Sequence, residues 1–378
     1  MKKSFCLFCA NYLPNLGGVE RYVYNLSKQL INLGHKVTVV TSNVFNLPSY
    51  EVDENGIEIF RLPCYNFMKG RYPILKKNDE FKRLDAELSK KQFDLVVINA
   101  RFYIHSLYAA DFAKKNGIKS ITIEHGSTHL SVDNKILDFV VAQVEHFVTR
   151  KLKKKCSDYY AVSKAAGEWS GHFGIESKGT LYNAVDIDSI VDATKKNVCD
   201  YRKEYNVPQD ATVITFTGRL LKIKGVYELL DAFKQLNRDD LYLFYAGDGP
   251  EQDALKAKAN DKVIFLGKID FDHVVALLNA SDIYCLPSVS EGMSTSVLEA
   301  IATNTFVITT YNGGARELIT GDEYGIITKG NTVDETKEAI QKALDKDYRD
   351  SACKNAYQKL LEGFTWQKTA EKLVKLVK

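Results

Sequence analysis

Ile283-Tyr-Cys-Leu-Pro287-Ser-Val-Ser-Glu291-Gly292-Met293-Ser294-Thr295-Ser296-Val-Leu-Glu299-Ala300 joins an apolar run to a helical pattern through a loop that carries an acid. The run Ile283–Leu286 is short and is stopped by Pro287, so it reads as a buried strand. Ser294, Thr295 or Ser296 can then cap a helix that turns Val297, Leu298 and Ile301 inward. Glu291 falls in the strand-to-helix loop, and Glu299 falls about one turn into the helix. Between the two lie Gly292 and a helix N-terminus, whose unpaired N–H groups and positive dipole end favour phosphate. A carboxylate beside phosphate serves hydroxyls, because it accepts hydrogen bonds and repels the anion. A phosphate site flanked by two such acids suits a nucleotide-sugar.

Outward from this stretch the same unit recurs. Phe5–Ala10, Val37–Thr41, Leu95–Asn99, Ser120–Ile123 and Tyr159–Val162 read as buried strands in the first half. Helical patterns separate several of them, most clearly Val19, Tyr22, Val23, Leu26, Leu30 and Leu33 before the stop at Gly34. The second half offers strands at Val213–Thr217, Leu241–Ala246, Val263–Leu266 and Phe306–Thr309. Its helices are expected at Val226–Leu236, Val333–Leu344, Asp350–Leu361 and Gln367–Val377, with Thr365 capping the last. Such alternation predicts an α/β protein with mostly parallel sheets that bind ligand in the loops after their strands.

Bulk properties narrow the classes. At 378 residues, 45% hydrophobic and 26% charged, the chain can build two ordinary globular domains. Its formal charge of +3 is too small to imply nucleic acid. Met1-Lys-Lys-Ser precedes an apolar run of strand length only, and no run approaches the roughly 20 residues of a membrane helix, so a cytoplasmic location is expected. Seven scattered cysteines fit reduced thiols, and Cys6 and Cys9 lie on opposite faces of a strand.

Several loops carry candidate chemistry. Asn15-Leu-Gly17-Gly18-Val-Glu20 lets backbone approach a ligand, or is a plain turn, and it lacks the dinucleotide G-x-G-x-x-G. Glu124-His125-Gly126 puts a histidine at a strand end. Gly218-Arg219-Leu-Leu-Lys222-Ile-Lys224-Gly225 sets a forked cation and a point cation before a helix, a second phosphate arrangement. Phe67–Lys77 mixes aromatics with cations. Ile136–Lys155 shows an apolar stripe of Ile136, Phe139, Val140, Val144, Phe147, Val148 and Leu152 that ends in lysines, which is either core or a surface for anionic lipid.

The Glu291-to-Glu299 spacing, the segment Gly218–Gly225 and Tyr182-Asn183-Ala184-Val185-Asp186 together resemble family 4 of the retaining glycosyltransferases, with the GT-B fold. The resemblance implies two Rossmann-like domains facing across a cleft: 1–182 for the acceptor, 183–363 for the nucleotide-sugar, and 364–378 as a helix crossing back. It implies Arg219 and Lys224 on the diphosphate, Glu299 on ribose hydroxyls and Glu291 on a sugar hydroxyl. The stretch Gly292, Met293, Ser294, Thr295 and Ser296 would hold the β-phosphate and sugar. By the same likeness His125 contacts the donor sugar or its reaction centre, Gly267 edges the nucleobase, and Gly17 and Gly18 line the floor near acceptor and phosphates. Ala184 replaces the family's glycine, and Met293-Ser294 departs from its bulky-then-small pattern.

The expected activity is therefore metal-independent transfer of a hexose-type sugar from a nucleotide-sugar, UDP-linked by preference, to a glycan or lipid-linked acceptor in cell-surface polysaccharide synthesis. No cofactor is expected, since the nucleotide-sugar is a substrate, and partners include an anionic membrane but no nucleic acid. Asp186-Ile-Asp188 and Asp270-Phe-Asp272 match the metal-binding D-x-D in text but sit away from the phosphate loops. A glycosidase pair would not need Arg219 and Lys224. A nucleotide-sugar 2-epimerase and a catalytically silent binder are the remaining alternatives.

Overall fold

The computed structural model describes residues 2–15, 17–129, 135–289, 291, 293–311 and 313–377. The chain divides into two compact units, Met1–Asn183 with Trp366–Lys378, and Ala184–Thr365.

Among the described residues the first unit contains β1 (Ser4–Phe8), α1 (Gly18–Asn32), β2 (Lys36–Ser42), β3 (Tyr50–Val52), β4 (Glu58–Leu62), β5 (Cys64–Tyr65), β6 (Ile74–Leu75) and α2 (Asp79–Ser89). It continues with β7 (Leu95–Asn99), α3 (Ile104–Lys115), β8 (Ser120–Glu124), α4 (Lys135–Lys153), β9 (Tyr159–Ala161) and α5 (Lys164–Ser170). The main sheet runs β3-β4-β2-β1-β7-β8-β9 and is parallel except for β3. Helices cover both faces, so strands such as Leu95–Asn99 are buried throughout, as parallel strands require. Helix α1 buries Tyr22, Val23, Leu26 and Leu30 at helical spacing, and each such side chain contributes roughly 1.5–3 kcal/mol. It stops where Gly34 turns left-handed at φ +83. Strand β4 was not among the expected strands because Glu58 and Arg61 interrupt its apolar pattern. Here Arg61 reaches Glu51 at 2.6 Å and Glu58 reaches Lys91 at 2.7 Å, so the charges are paired at the sheet margin.

The second unit contains α6 (Ile187–Lys196), α7 (Tyr201–Glu204), β10 (Thr212–Thr217), α8 (Val226–Leu236), β11 (Leu241–Ala246), α9 (Gln252–Lys258), β12 (Val263–Gly267) and α10 (Phe271–Asn279). Then come β13 (Ile283–Leu286), α11 (Thr295–Ala302), β14 (Phe306–Thr310), β15 (Ile326–Thr328), α12 (Val333–Ala343) and α13 (Lys346–Gly363). The parallel sheet runs β12-β11-β10-β13-β14-β15. The last helix, α14 (Trp366–Lys375), belongs to the first unit, where Trp366 packs edge-on against Tyr22 at 5.2 Å and Thr369 donates to Tyr182 O at 2.9 Å.

Both sheets reverse direction next to their first strand. The chain steps outward from β1 to β2 and β4, then returns to β7 on the other side; it steps from β10 to β11 and β12, then returns to β13. At such a switch point neighbouring loops diverge above the carboxyl ends and leave a crevice that ligands use. The loops after β1 and β7, and those after β10 and β13, are therefore the ones the topology places there.

Candidate functional site

The second unit's switch point brings together the loop after β10, which carries Arg219 and Lys224, and the loop after β13, which carries Glu291. Lys222–Lys224 forms a single 3-10 turn that ends at Gly225, whose φ is +72. A Cβ on Gly225 would lie 2.0 Å from the Pro287 carbonyl oxygen, so only glycine lets this turn sit flat on the strand-end loop. Val289 N–H and Ser288 Oγ both donate to Ile223 O, at 2.8 and 3.1 Å, and pin the two loops together. With the turn so held, Lys224 Nζ donates to Glu291 Oε1 in an ion pair whose side chains are 27% and 18% exposed. From the other side Gly313 approaches closely enough that a Cβ there would meet Glu291 Cβ at 2.9 Å. Glycines therefore hold the Lys224–Glu291 pair from two directions.

Arg219 follows β10 with its side chain exposed. Its loop rests on the next strand-end: Gly218 N donates to Ala246 O at 2.9 Å and Leu220 N to Asp248 O at 2.8 Å. A Cβ on Gly247 would come within 1.8 Å of Gly218 O, and one on Gly249 within 2.3 Å of Leu220 O. Gly247 N in turn donates to Gly267 O at 2.7 Å, which places Gly267, at φ +67, one strand further along the same edge.

Ser294 is the N-cap of α11 but makes no side-chain cap hydrogen bond. Its Oγ lies 2.9 Å from Ser296 Oγ, which lies 2.7 Å from the Tyr284 hydroxyl, itself 3.3 Å from Thr217 O. The Tyr284 hydroxyl donates toward Ser296 Oγ and, over the longer distance, toward Thr217 O, so its one proton is shared between two acceptors. Burial pushes the Tyr284 phenol above its ordinary pKa, and the charges of Glu291 and Glu299 push it the same way. Met293 is buried, Thr295 opens the helix, and Glu299 lies half-buried one turn further. Gly292 lies outside the described residues.

In the first unit His125 follows β8. Asn99 Nδ2 donates to Phe8 O at 3.2 Å, which turns Asn99 Oδ1 toward His125 Nε2 at 3.0 Å. His125 therefore carries its proton on Nε2 and offers Nδ1 as an acceptor. Burial pushes its pKa down to about 3, so the ring is neutral. Tyr22 packs edge-on against it at 4.8 Å. Beneath this loop Glu124 accepts from His125 N and Gly126 N, both at 3.0 Å, and pairs with the buried Arg101, Nε to Oε2, at 2.5 Å. Ala100, one residue before Arg101, holds φ +65, a left-handed conformation at the switch point that Ser106 Oγ braces through Ala100 O at 2.6 Å.

Gly17 and Gly18 differ. A Cβ on Gly17 would fall 2.2 Å from Glu20 Oε2, so the space beside it belongs to its own helix's first turn; its φ of -97 is not the positive value that a plain glycine turn would require. Gly18 has open space on its Cβ side. Ala184 is buried and stays out of the left-handed region, so it needs no glycine. The two D-x-D segments serve the fold: Asp186 caps α6 through Ser189 N, Asp270 caps α10 through His273 N, and Asp272 pairs with Lys196 at 2.7 Å. Cys6 and Cys9 are buried free thiols, with pKa values raised by burial.

The sequence did not single out Tyr284, Asn99 or Arg101. Tyr284 and Asn99 lie inside apolar strands, where pattern alone reads them as core. Gly225, by contrast, closed the quoted segment, and its positive φ is what such a loop glycine signals.

Two doubly wound sheets, one with cations and acids at its switch point, define the GT-B class of α/β proteins. Comparison with known proteins extends this to a family. The sequence profile "Glycosyltransferase Family 4" matches residues 16–189, and "Glycosyl transferases group 1" matches residues 198–359. An uncharacterized glycosyltransferase of Methanocaldococcus jannaschii is 26% identical over 99% of this chain and 98% of its own length. The N-acetyl-alpha-D-glucosaminyl L-malate synthase of Bacillus anthracis is 26% identical over 94% of this chain and 92% of its own length. Among solved structures, Anabaena HepE in complex with UDP-glucose superposes with a TM-score of 0.74 at 19% identity, over 99% of both chains. The chain belongs to the family 4 glycosyltransferases and has the GT-B fold.

Proposed function

We propose that the protein is a retaining glycosyltransferase that moves a hexose-type sugar from a UDP-sugar to a hydroxyl of a glycan or lipid-linked acceptor, in cell-surface polysaccharide synthesis. The observation that carries the donor half is the Lys224–Glu291 pair held at the second unit's switch point beside an uncapped helix N-terminus. In this reading the diphosphate takes the α11 amides together with Lys224 and Arg219, and Glu291 passes from Lys224 to a sugar hydroxyl. Glu299 holds the ribose, and the Ser294–Ser296–Tyr284 chain keeps the helix start in place. Anabaena HepE, solved with UDP-glucose, supports a UDP-sugar donor.

In the transfer the bond from the anomeric carbon to the β-phosphate oxygen breaks, with its electron pair going to UDP. The acceptor oxygen bonds to the same face of that carbon, and its proton passes to the departing phosphate oxygen. Fixed cations and N–H groups aimed at that charge can lower the barrier by several kcal/mol without a metal. Neutral His125, with Nδ1 free to accept, suits a donor-sugar hydroxyl. The first unit takes the acceptor, with Gly17 and Gly18 in the loop after β1.

A peripheral contact with the inner face of a membrane belongs to the same proposal. Helix α4 exposes Leu137, Phe139, Val140, Val144 and Phe147, while Val148 and Leu152 of the expected stripe are core, and Ile136's side chain lies outside the described residues. Arg150, Lys151 and Lys153 close the helix with the charge that anionic lipid attracts. Among the described residues no helix is long and apolar enough to cross a membrane.

Thermal unfolding with a panel of nucleotide-sugars tests the donor. A true donor at about a hundredfold excess over its Kd stabilises the protein by about 2.7 kcal/mol. NMR of the transferred anomeric centre then reads retention. The proposal fails if no nucleotide-sugar raises the unfolding temperature. Interconversion of the donor without acceptor would make the protein an epimerase.

A further inference from the structure

Three histidines of the first unit, none of them used above, converge on one point. His129 follows the His125 loop, His146 lies on α4, and His172 lies on the 3-10 turn Gly171–Phe173 after α5. One ring nitrogen from each lies within 4.8 Å of the others. Their ring centroids form a nearly equilateral triangle with sides of 5.5, 5.1 and 5.1 Å. His146 Nε2 and His172 Nε2 are 3.3 Å apart.

The His146–His172 nitrogen separation and the three ring-centre spacings have a simple geometric meaning. Two imidazole nitrogens each about 2.0–2.1 Å from a tetrahedral zinc ion are about 3.3–3.4 Å apart, and their ring centres are then about 5 Å apart. The second requirement of such a site is also present. Glu145 Oε2 lies 2.7 Å from His129 Nδ1, so Nδ1–H donates to the carboxylate and the other nitrogen is left to coordinate. Glu145 is itself fixed, since its Oε1 accepts from Arg101 Nη2 at 2.6 Å. Trp169 stacks flat on His172 at 4.8 Å and sets its ring plane. His129 and His146 are half-buried and His172 is exposed, which leaves an approach from solvent. A cavity of about 340 Å³ between α4 and the 171–173 turn, bordered by His146, His172, Arg150 and Lys154, gives room for water or an anion as the fourth ligand.

We propose that His129, His146 and His172 form a binding site for one divalent transition-metal ion of the zinc class. Three imidazoles select zinc, cobalt, nickel or copper over magnesium or calcium, which prefer oxygen. The ion ties α4 and the 171–173 turn to the segment bearing His125, because Glu145 continues through Arg101 to Glu124, whose carboxylate holds the amides of His125 and Gly126. The site is structural, stands apart from the transfer chemistry, and does not rest on the functional reading above. Without an ion, His146 and His172 would share one proton across a hydrogen bond, and that is the competing state.

The test uses the full-length, tag-free, reduced protein titrated with Co²⁺ and followed by visible absorption, with Zn²⁺ competition and metal content measured afterwards. One cobalt per chain with intense tetrahedral bands, displaced by zinc, is expected. His172→Ala and His146→Ala should weaken cobalt binding by at least the 10–100-fold typical of losing a supporting partner, while His273→Ala, on the exposed start of α10, leaves it unchanged. Zinc should raise the unfolding temperature of the wild type but not of His172→Ala, each measured against its own metal-free value. Absence of tetrahedral bands, or equal affinity in wild type and His172→Ala, overturns the proposal.

Discussion

Replacing Gly225 by alanine places a methyl group where a neighbouring carbonyl already sits. At φ +72 an alanine pays roughly 1–2 kcal/mol for the left-handed backbone alone. Its Cβ would lie 2.0 Å from Pro287 O, well inside contact distance, so the Lys222–Lys224 turn must retreat by more than about 1 Å. That retreat breaks the 2.8 Å bond from Val289 N to Ile223 O, worth about 1 kcal/mol, and separates Lys224 from Glu291. The sum is a destabilisation of about 2–3 kcal/mol, together with at least a tenfold loss of UDP affinity if this loop holds the diphosphate. Gly363→Ala is the control in the same unit, because nothing lies within 4 Å of its Cβ position and alanine suits the end of α13. Denaturant unfolding and titration calorimetry with UDP read both quantities. If Gly225→Ala keeps wild-type stability and UDP affinity, the idea that this glycine contact builds the donor loop is wrong.

Three further outcomes follow from the same geometry. Lys224→Ala should reduce kcat more than it raises KM, since its charge matters most when the diphosphate departs; steady-state kinetics showing a pure KM effect would contradict this. Arg101→Met leaves Glu124 and Glu145 buried without their shared cation and should cost about 3–5 kcal/mol, read as a fall in denaturant midpoint; an unchanged midpoint would contradict it. Acid should destabilise the first unit through His105 and His125, both pushed down to about 3 by burial. Their folded values lie below the unfolded value, so the unfolded state binds more protons between about pH 6.5 and 3, and stability falls as pH falls. Each histidine removes about 2 kcal/mol by pH 5. Glu20 and Glu124, raised by burial, act in the opposite sense. The readout is therefore the difference between wild type and His105→Phe, whose midpoint should drop less between pH 7 and pH 5; parallel drops would contradict the assignment.

The parallel sheets were legible because their strands are continuous apolar runs. Leu95–Asn99 and Leu241–Ala246 sit where the run of Val, Ile, Leu and aromatic residues puts them. Strand β4 was not, since its charges are satisfied by partners outside the strand, among them Glu51 and Lys91. In the candidate site, Lys224 and Glu291 were legible as loop residues, yet their pairing depends on Gly225 against Pro287 and Gly313 against Glu291, contacts that no local pattern encodes. The histidine triad was invisible for the same reason: His129, His146 and His172 follow no ligand spacing and meet only through the fold. The apolar stripe of α4 read as either core or a lipid-facing surface, and the structure divides it, with Val148 and Leu152 inward and Phe139, Val140, Val144 and Phe147 outward.

Calorimetric titration of UDP into the wild type, Glu299→Ala and Glu291→Ala asks the most direct question of all. If the second unit's acids divide the donor between them, removing Glu299 weakens UDP binding severalfold or more, while removing Glu291, which faces the absent sugar, changes it little. Equal affinities in the two variants, or a larger loss from Glu291, would contradict that division and the donor site built on it.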